Sequence, residues 1–306
     1  MTVPVAPSRP NASLAALLPF PAADTNKYRR GHLSLVAGSA AYPGAACLAA
    51  DGATRAGAGY TEVFCAGKAL LTVRGHRPSL VARDWRAWHP GRPSRGGGSG
   101  EHPRACVIGC GFDTAEGGAT ASLLMETLRA WEAPLLVDGG ALGLLASPTG
   151  LRLAAERAAK GRPLVLTPHG GEAARLAAAA SLAPDRDAPA LAAALARAYG
   201  ATVALKGPRT YIADTRGNVE VMDRGTAALA KAGTGDVLAG IIGALLAQGL
   251  SPVDAAALGC ALHAEAGRAA EAALSALCVT ADDLADFLPA AVRALAAPAA
   301  AGIQEQ

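Results

Sequence analysis

A glycine-rich stretch, KAGTGDVLAG, occupies residues 231–240 and leads directly into an apolar run, IIGALLAQGL. Glycines at 233 and 235 let a ligand approach the backbone closely, and a helix that begins near Gly235 leaves its first amide groups unpaired. Because those amides carry partial positive charge, Gly233, Thr234 and Gly235 are predicted to hold a phosphate group. Asp236 comes next, where its carboxylate can accept a proton from a hydroxyl beside that phosphate, as phosphoryl transfer requires.

The same residues also fit a purely structural role, in which Thr234 or Asp236 caps the helix. The stretch is not a Walker A loop, because no Lys-Ser/Thr pair follows its glycines. It also lacks the GxGxxG spacing of the dinucleotide-binding fingerprint and does not follow a predicted strand. The chemical interpretation therefore depends on which other residues lie beside this loop.

Three further segments have polar or small residues just after a predicted strand. They are TPHGGE (167–172), with His169 and Glu172; ALKGPRT (204–210), with Lys206; and the small-residue segment 37–60. Because the carboxyl ends of parallel strands meet at one edge of a sheet, these segments are predicted to form one site with the glycine-rich loop. The structural alternatives are a turn with a helix-starting Glu, a hairpin with a solvated lysine, and close packing of a helix on the sheet.

Short apolar runs alternate with longer Ala/Leu-rich segments, which predicts an α/β fold with a mainly parallel sheet. The predicted strands are residues 32–38, 60–65, 105–109, 134–139, 163–169 and 201–207, and a hairpin at a sheet edge is predicted from 210–214 and 218–223. Residues 235–249, 252–274 and 282–295 are predicted helices. Residues 84–104 are rich in Pro, Gly and Ser and are predicted to form a mobile loop, with Trp85 and Trp88 packing it down.

The composition is typical of a soluble globular protein. The chain has 306 residues, 51% of them hydrophobic and 17% charged, with a net charge of +3. No basic block predicts a nucleic-acid partner, and no apolar run is long enough to predict a membrane span. The six cysteines are predicted to be mostly buried, reduced thiols of a cytoplasmic protein. We predict a loose arm with one short packed segment at 1–26, one catalytic domain at 27–298 and a tail at 299–306.

Taken in order, these segments resemble the ADP/ATP-dependent NAD(P)H-hydrate dehydratase family of the ribokinase-like superfamily. The resemblance runs from about Lys27 to Pro289, and its most specific part is KAGTGDVLAGIIGALLAQGLSPVDAAALGCALHAEAG, with VIGCGFD, LLVDGGAL, LTPHGGEAARL and ALKGPRTYIAD before it. It implies a ribokinase-like three-layer α/β/α sandwich. It also implies that a nucleoside di- or triphosphate phosphorylates the ring hydroxyl of hydrated NADH or NADPH (NADHX or NADPHX), after which loss of phosphate restores the reduced dinucleotide.

The resemblance also implies roles for individual residues. The hydrate would be contacted by Ala45, Gly111, His169 and Asp236, and the nucleotide would be held by Lys206, Gly207, Pro208, Arg209, Thr210 and Gly235. Asp236 would accept the hydroxyl proton, and a Mg²⁺ ion would bridge the phosphates, with Glu172 acting on it through water. A homo-oligomer such as a tetramer is expected, and a separate protein is expected to supply the epimerase activity that many relatives carry as a fused domain.

The chain departs from the family pattern at two turns. Gly109-Cys110-Gly111 stands where the family usually has glycine-proline-glycine, and residues 138–143 read Asp-Gly-Gly-Ala-Leu-Gly in place of Asp-Ala-Asp-Ala-Leu-Asn. Two other functions therefore stay open at this point. One is a ribokinase-like kinase of a small alcohol such as a vitamin precursor, and the other is a nucleotide-binding protein without catalysis.

Overall fold

The computed structural model describes residues 3–91, 102–113, 118–183 and 186–297. Its strands are β1 (Val5–Ala6), β2 (His32–Val36), β3 (Tyr60–Cys65), β4 (Val81–Asp84), β5 (Arg104–Ile108), β6 (Leu135–Val137), β7 (Leu164–Leu166), β8 (Thr202–Leu205), β9 (Thr210–Ala213) and β10 (Val219–Met222). They form one ten-stranded sheet in the order β1-β10-β9-β8-β7-β6-β5-β2-β3-β4. Neighbours from β8 to β4 are parallel, and β9 runs antiparallel to both β8 and β10.

Helices cover both faces of this sheet. They are α1 (Asn11–Ala15), α2 (Pro43–Arg55), α3 (Leu70–His76), α4 (Gly118–Ala130), α5 (Gly140–Leu145), α6 (Pro148–Ala159), α7 (Gly170–Ala179), α8 (Ala188–Tyr199), α9 (Thr234–Ala247), α10 (Pro252–Leu274) and α11 (Ala281–Ala296). Helices α2, α9, α10 and α11 pack against one another in one layer, and α4 to α8 pack together in the other. The predicted three-layer α/β/α sandwich with a mainly parallel sheet is confirmed.

The central strands are apolar because the sheet is covered on both faces. All five residues of β2 are buried, as are all three residues of β6 and of β7. Such strands show no alternation of polar and apolar residues, which is why short continuous apolar runs were sufficient to predict them.

Two glycines allow α2 and α9 to lie against each other without intervening side chains. A Cβ atom at Gly240 would overlap the carbonyl oxygen of Ala49, and a Cβ at Gly52 would overlap the carbonyl oxygen of Val237. This close packing holds the N-terminal half of α9, which begins within the glycine-rich loop, against residues 49–53 of α2.

The structure corrects two predictions about the sheet edges. The hairpin of β9 and β10 is formed, but β10 is not the edge strand, because Val5 and Ala6 of β1 pair with Val219 and Glu220. A two-residue strand is too short to show a periodic pattern, so the sequence did not reveal β1. Leu14 of α1 is fully buried, and residues 5–15 therefore form a part of the same folded unit.

At the opposite edge, part of the predicted loop 84–104 is regular structure. Asp84 ends β4, residues 85–87 form a 3₁₀ turn, and Arg104 begins β5. Residues 92–101 of this segment lie outside the described residues, as do 299–306 of the predicted tail. The prediction that Trp85 and Trp88 pack the segment down is confirmed, since both are buried.

Five of the six cysteines are buried and free, as predicted, but Cys278 is exposed. In the part of the chain that the structure describes, no helix is both long enough and apolar enough to cross a membrane.

Candidate active site

The carboxyl ends of four neighbouring strands bring polar side chains together. Cys110 follows β5, Asp138 follows β6, Thr167 follows β7 and Lys206 follows β8. The first turn of α9 adds Asp236 to this group. The site therefore lies at the sheet edge where ligands collect in open α/β folds.

Lys206 and Asp138 form a largely buried ion pair. Lys206 Nζ lies 2.9 Å from Asp138 Oδ1, and the two side chains are 20% and 4% exposed. Thr167 Oγ1 donates a second hydrogen bond to the same oxygen at 2.6 Å. Burial lowers the pKa of Lys206, but the charges of Asp138 and Glu172 outweigh it, so the pKa is raised above its usual value. The structure thus excludes the alternative of a solvated lysine.

Asp236 is held close to a second carboxylate. Ligand atoms of Asp236, Asp138 and Cys110 all lie within 4.8 Å of one another, and the Cys110 thiol lies 3.8 Å from Asp138 Oδ2. Burial and the charge of Asp138 raise the pKa of Asp236 to about 7, against the opposing effects of the Cys110 hydrogen bond and the Lys206 charge. A carboxylate with a pKa near neutrality is well suited to accept a proton and to return it.

The helix cap predicted as the structural alternative for this loop is not formed by Thr234. Its hydroxyl donates to the carbonyl oxygens of Leu229 and Lys231, and its amide bonds to Lys231 O. No side chain of the described residues caps α9, and the residue before this helix, Gly233, has the left-handed φ of 91°. The Gly235 amide has no partner among the described residues and is free to bind an anion.

Gly235 and Lys206 face each other across the mouth of a cavity. A Cβ placed on Gly235 would lie 3.2 Å from Lys206 Nζ. The cavity has a volume of about 740 Å³. Its lining combines polar residues and glycines with apolar side chains; the residues include Lys206, Gly207, Thr210, Gly235, Met222, Leu229 and Leu238. A cavity that offers a cation, a free helix amide and apolar side chains has the character of a nucleotide site.

His263 of α10 also lines this cavity, and sequence reasoning did not single it out. Its ring is buried, and Nε2 has no hydrogen-bond partner within the described part of the chain. Burial, reinforced by the Lys206 charge, lowers the pKa of His263 to about 4, although a hydrogen bond with the Thr234 backbone opposes the shift. The neutral His263 imidazole therefore stabilises the glycine-rich loop through its hydrogen bond with the Thr234 backbone.

His169 and Glu172 form a reciprocal helix cap at the start of α7. His169 Nδ1 accepts a hydrogen bond from the Gly171 amide, and Glu172 Oε2 accepts one from the His169 amide at 2.8 Å. This is the structural alternative considered for TPHGGE, and it is present. The second Glu172 oxygen, Oε1, lies 3.5 Å from His169 Nε2. The His169 ring is 58% exposed and borders the cavity beside Lys206.

Gly111 lies on the other side of Asp138 from His169. A Cβ on Gly111 would lie 2.6 Å from the Cβ of Ala45 and 2.7 Å from the carbonyl oxygen of Tyr42, so Gly111 and Ala45 form one small-residue wall. Such a wall leaves room for a flat ring next to Cys110 and Asp236.

Two predicted nucleotide-binding residues do not line the cavity. Arg209 is exposed and is absent from the lining, whereas Lys206, Gly207, Pro208 and Thr210 line the cavity. Gly233 instead packs beside Leu48 and Ala281. The roles assigned to individual residues from the family pattern stay predictions.

Three comparisons with known proteins agree with this architecture. Residues 33–290 match the family described as NAD(P)H-hydrate dehydratase. The ADP-dependent (S)-NAD(P)H-hydrate dehydratase of Neisseria meningitidis is 34% identical over 257 residues, which are 80% of this chain and 79% of that protein. The chain belongs to the NAD(P)H-hydrate dehydratase family.

Other relatives of this NAD(P)H-hydrate dehydratase family member are longer. The bifunctional NAD(P)H-hydrate repair enzyme Nnr of Mycobacterium tuberculosis is 40% identical over 245 residues, covering 80% of this chain and 46% of Nnr. The chain thus spans about half the length of the first curated relatives it matches.

Solved structures show the same fold. The ADP/ATP-dependent NAD(P)H-hydrate dehydratase of Bacillus subtilis, co-crystallised with ATP and Mg²⁺, is 27% identical. The match has a TM-score of 0.76 and covers 95% of this chain and 99% of that one. A ribokinase-like superfamily protein of Enterococcus faecalis has a TM-score of 0.75 at 22% identity, which identifies the fold as ribokinase-like.

Within this dehydratase family member, the two turns that depart from the family pattern touch each other. A Cβ on Gly139 would lie 2.9 Å from the Gly109 carbonyl oxygen, and a Cβ on Gly140 would overlap the carbonyl oxygen of Phe112. The glycines at 139 and 140 are therefore required by the close approach of the turn that carries Cys110. The two departures form a single local rearrangement beside Asp236.

Proposed function

We propose that this protein catalyses the nucleotide-dependent dehydration of hydrated NADH or NADPH. The observation that carries the proposal is the position of Asp236. Asp236 directly follows Gly235, which borders the nucleotide cavity with Lys206, and its ligand atoms lie within 4.8 Å of those of Cys110, the residue before Gly111 of the small-residue wall. A hydroxyl group on a ring at that wall is then placed between a phosphoryl donor and a proton acceptor.

The reaction follows from this placement. Asp236 accepts the proton of the ring hydroxyl while the hydroxyl oxygen attacks the terminal phosphorus of the bound nucleotide. The nucleotide then leaves with one phosphate fewer. The phosphorylated ring then loses inorganic phosphate, a better leaving group than hydroxide, and the adjacent ring carbon gives up a proton to solvent, so that the ring double bond forms and the reduced dinucleotide is restored. Lys206 and the Gly235 amide neutralise charge on the phosphoryl oxygens during transfer.

A Mg²⁺ ion fits this site through the phosphates rather than through a cage of protein ligands. Cys110, Asp138 and Asp236 offer ligand atoms within 4.8 Å, but a thiol is a poor ligand for Mg²⁺ and Lys206 already engages Asp138. The other Glu172 oxygen lies 3.5 Å from His169 Nε2, at the edge of the site. We propose that the nucleotide phosphates hold the ion and that Glu172 acts on it through water, and the ion would supply positive charge to the phosphoryl group.

Other parts of the proposal rest on the family resemblance. We propose a homo-oligomer, specifically a tetramer, in the cytoplasm, with an epimerase activity supplied by a separate protein. Measurement of the molar mass in solution tests the tetramer, and a monomeric mass at assay concentration would contradict it.

The deciding experiment mixes the purified protein with NADHX, Mg²⁺ and either ADP or ATP, and follows the return of NADH absorbance. We expect recovery that depends on a nucleotide, and the active nucleotide identifies the phosphoryl donor. Protein that binds nucleotide but restores no NADH with either donor would contradict the proposal. A stable phosphorylated product from a small alcohol would then favour the kinase, and no phosphate transfer at all would favour a nucleotide-binding protein without catalysis.

A further inference from the structure

The two oxygens of the Asp138 carboxylate have different partners. Oδ1 accepts a hydrogen bond from Thr167 Oγ1 at 2.6 Å and lies 2.9 Å from Lys206 Nζ. Oδ2 instead has the Cys110 thiol 3.8 Å away. Asp138 is 3% exposed and Thr167 is fully buried, so the bond between them is shielded from water. No step of the proposed reaction uses Asp138 or Thr167, although both lie within the site.

Thr167 is placed to fix the orientation of the Asp138 carboxylate. A carboxylate turns easily about its terminal torsion, so its orientation depends on the donors around it. Thr167 is a stiff donor, because its side chain is short and β-branched and its amide is bonded to the Val137 carbonyl oxygen at 3.4 Å. Lys206 reaches the same Asp138 oxygen through a flexible four-carbon stem. The orientation of the carboxylate is therefore set by Thr167 rather than by Lys206.

Asp138 in turn holds the Lys206 ammonium beside the first turn of α9. Lys206 Nζ lies 3.2 Å from the position that a Cβ on Gly235 would take. An ammonium has three N–H donors, and within the described part of the chain only Asp138 accepts from this one. The side chain of Lys206 is 20% exposed and lines the nucleotide cavity. Two of its N–H groups are thus available to phosphate oxygens in the cavity.

We propose that Asp138 and Thr167 are positioning residues for phosphoryl transfer and act through Lys206. Thr167 orients the Asp138 carboxylate, and Asp138 holds the ammonium where its remaining N–H groups and the Gly235 amide meet the oxygens of the transferring phosphoryl group. The inference rests on the proposed function, because it concerns the same transfer from the nucleotide to the ring hydroxyl.

Such positioning affects turnover more than nucleotide binding. A cation that is fixed before the reaction stabilises the charge of the transition state without having to reorganise. In the ground state, the Asp138 carboxylate offsets part of the positive charge that Lys206 offers to the nucleotide. Loss of Asp138 should therefore slow the transfer without weakening nucleotide binding, whereas loss of Lys206 itself should weaken binding.

The test measures kcat and nucleotide affinity in Asp138→Asn and Thr167→Val. Assays at about pH 8.5 keep Asp236 ionised in every variant, so that a changed pKa of Asp236 does not enter the comparison. In Asp138→Asn we expect kcat to fall about 10- to 100-fold, with the Kd values of ADP and ATP unchanged or lower. Thr167→Val keeps both charges of the ion pair and the shape of the side chain, and kcat should fall about three- to tenfold. Thr167→Ser keeps the hydroxyl and should have nearly the kcat of the unaltered protein.

The matched control is Asp51→Asn. Asp51 is also a buried carboxylate, 5% exposed, and it pairs with His76 of α3 at 2.7 Å rather than with a residue of the site. This variant should lose stability while kcat and both Kd values are kept. The inference would be overturned by an unchanged kcat in Asp138→Asn and Thr167→Val, by nucleotide binding in Asp138→Asn as weak as in Lys206→Met, or by a Thr167→Ser variant as slow as Thr167→Val.

A measurement without turnover separates this inference from the proposed function. The chain has five lysines, so ¹⁵N-lysine labelling gives few ammonium signals, and that of Lys206 is identified by its loss in Lys206→Met. We expect the Lys206 ammonium protons to exchange with water at least about tenfold more slowly than those of exposed lysines. This protection should be lost in Asp138→Asn and reduced in Thr167→Val. If no hydrate is dehydrated but the protection changes in this way, the proposed function fails and the positioning of Lys206 stands. Exchange as fast as that of exposed lysines in the unaltered protein would overturn the inference.

Discussion

Lys206 Nζ and Asp138 Oδ1 lie 2.9 Å apart although the two residues are 68 positions apart in the chain. Their strands, β8 and β6, are not adjacent; β7 lies between them and contributes Thr167 to the same Asp138 oxygen. The pair keeps Lys206 charged inside the site and keeps a negative charge close to Asp236. Removal of either partner would leave a buried charge uncompensated.

Replacement of Asp236 by Asn tests its role as the proton acceptor. Asparagine keeps the shape of the side chain but cannot take the hydroxyl proton, so turnover should fall by ~10²–10⁴-fold. Nucleotide binding should be mostly kept, because Asp236 does not line the nucleotide cavity. The assay is the nucleotide-dependent return of NADH absorbance, with Asp282→Asn, an exposed carboxylate on α11, as the control. Near-normal turnover in Asp236→Asn would remove this residue from the mechanism.

The rate should depend on pH through the same carboxylate. Asp236 must be ionised to accept a proton, and its pKa is raised to about 7, so kcat/KM should increase as the pH rises through about 7 and then level off. Cys110→Ala removes a hydrogen bond that lowers the pKa of Asp236. The rising limb of the kcat/KM–pH profile should therefore shift to higher pH by roughly half a unit. Cys260→Ala, also a buried thiol, should leave the limb in place. An unchanged pH profile in Cys110→Ala would contradict the hydrogen bond between Cys110 and Asp236.

Lys206→Met should weaken nucleotide binding, because Lys206 lines the cavity and its charge lies next to the Gly235 backbone, where the proposal places the phosphates. Loss of the charge also leaves Asp138 unpaired, so the free energy of unfolding should fall by about 3–5 kcal/mol. Isothermal titration with ADP and ATP measures the first effect, and urea denaturation measures the second. The surface variant Lys160→Ala should show neither. An affinity for both nucleotides equal to that of the unaltered protein would place Lys206 outside the site.

His263 should make the protein sensitive to mild acid. Burial lowers the pKa of His263 in the folded protein to about 4, below the value of 6.5 in the unfolded chain. Between pH 6.5 and pH 4, His263 is therefore protonated in the unfolded chain but neutral in the folded protein. The free energy of unfolding should therefore decrease as the pH falls through this window, by on the order of 3 kcal/mol from this residue.

His263→Phe removes the titrating group while keeping a ring of similar size. Urea denaturation at about pH 7.5 and about pH 4.5 should show a smaller loss of stability in this variant than in the unaltered protein. At the higher pH the variant should be less stable by about 1 kcal/mol, since the hydrogen bond to the Thr234 backbone is lost. An exposed histidine, His89, provides the control as His89→Ala. An identical acid sensitivity in His263→Phe would show that the buried ring does not titrate as described.

The sequence predicted the parallel core well, because strands buried on both faces are short continuous apolar runs that end in turn residues. The strand of residues 60–65 was predicted at the bounds that β3 has, and the helix predicted at 252–274 is α10. The edges were predicted poorly. β1 has two residues and β4 has four, and both owe their conformation to pairing with a neighbour rather than to their own pattern.

The candidate site likewise contains some residues that the sequence identifies and others that it does not. The glycine-rich loop, Lys206 and the TPHGGE turn stand out in the sequence because glycines and charged residues are unusual directly after apolar strands. The partner of Lys206, the thiol beside Asp236 and the buried ring of His263 do not stand out. Asp138, Cys110 and His263 acquire their roles from neighbours that are distant in sequence.

By itself, the sequence determined the fold class, the family and the position of the glycine-rich loop, since each depends on the local order of residue types. Only the tertiary structure decided that Asp236 lies close to a second carboxylate and a buried thiol, and that Lys206 is paired. It alone shows that Lys206 and Gly235 border one cavity. The physical reason is that burial and charge act through space, so the protonation and partners of a side chain are set by the strands that the sheet places beside it.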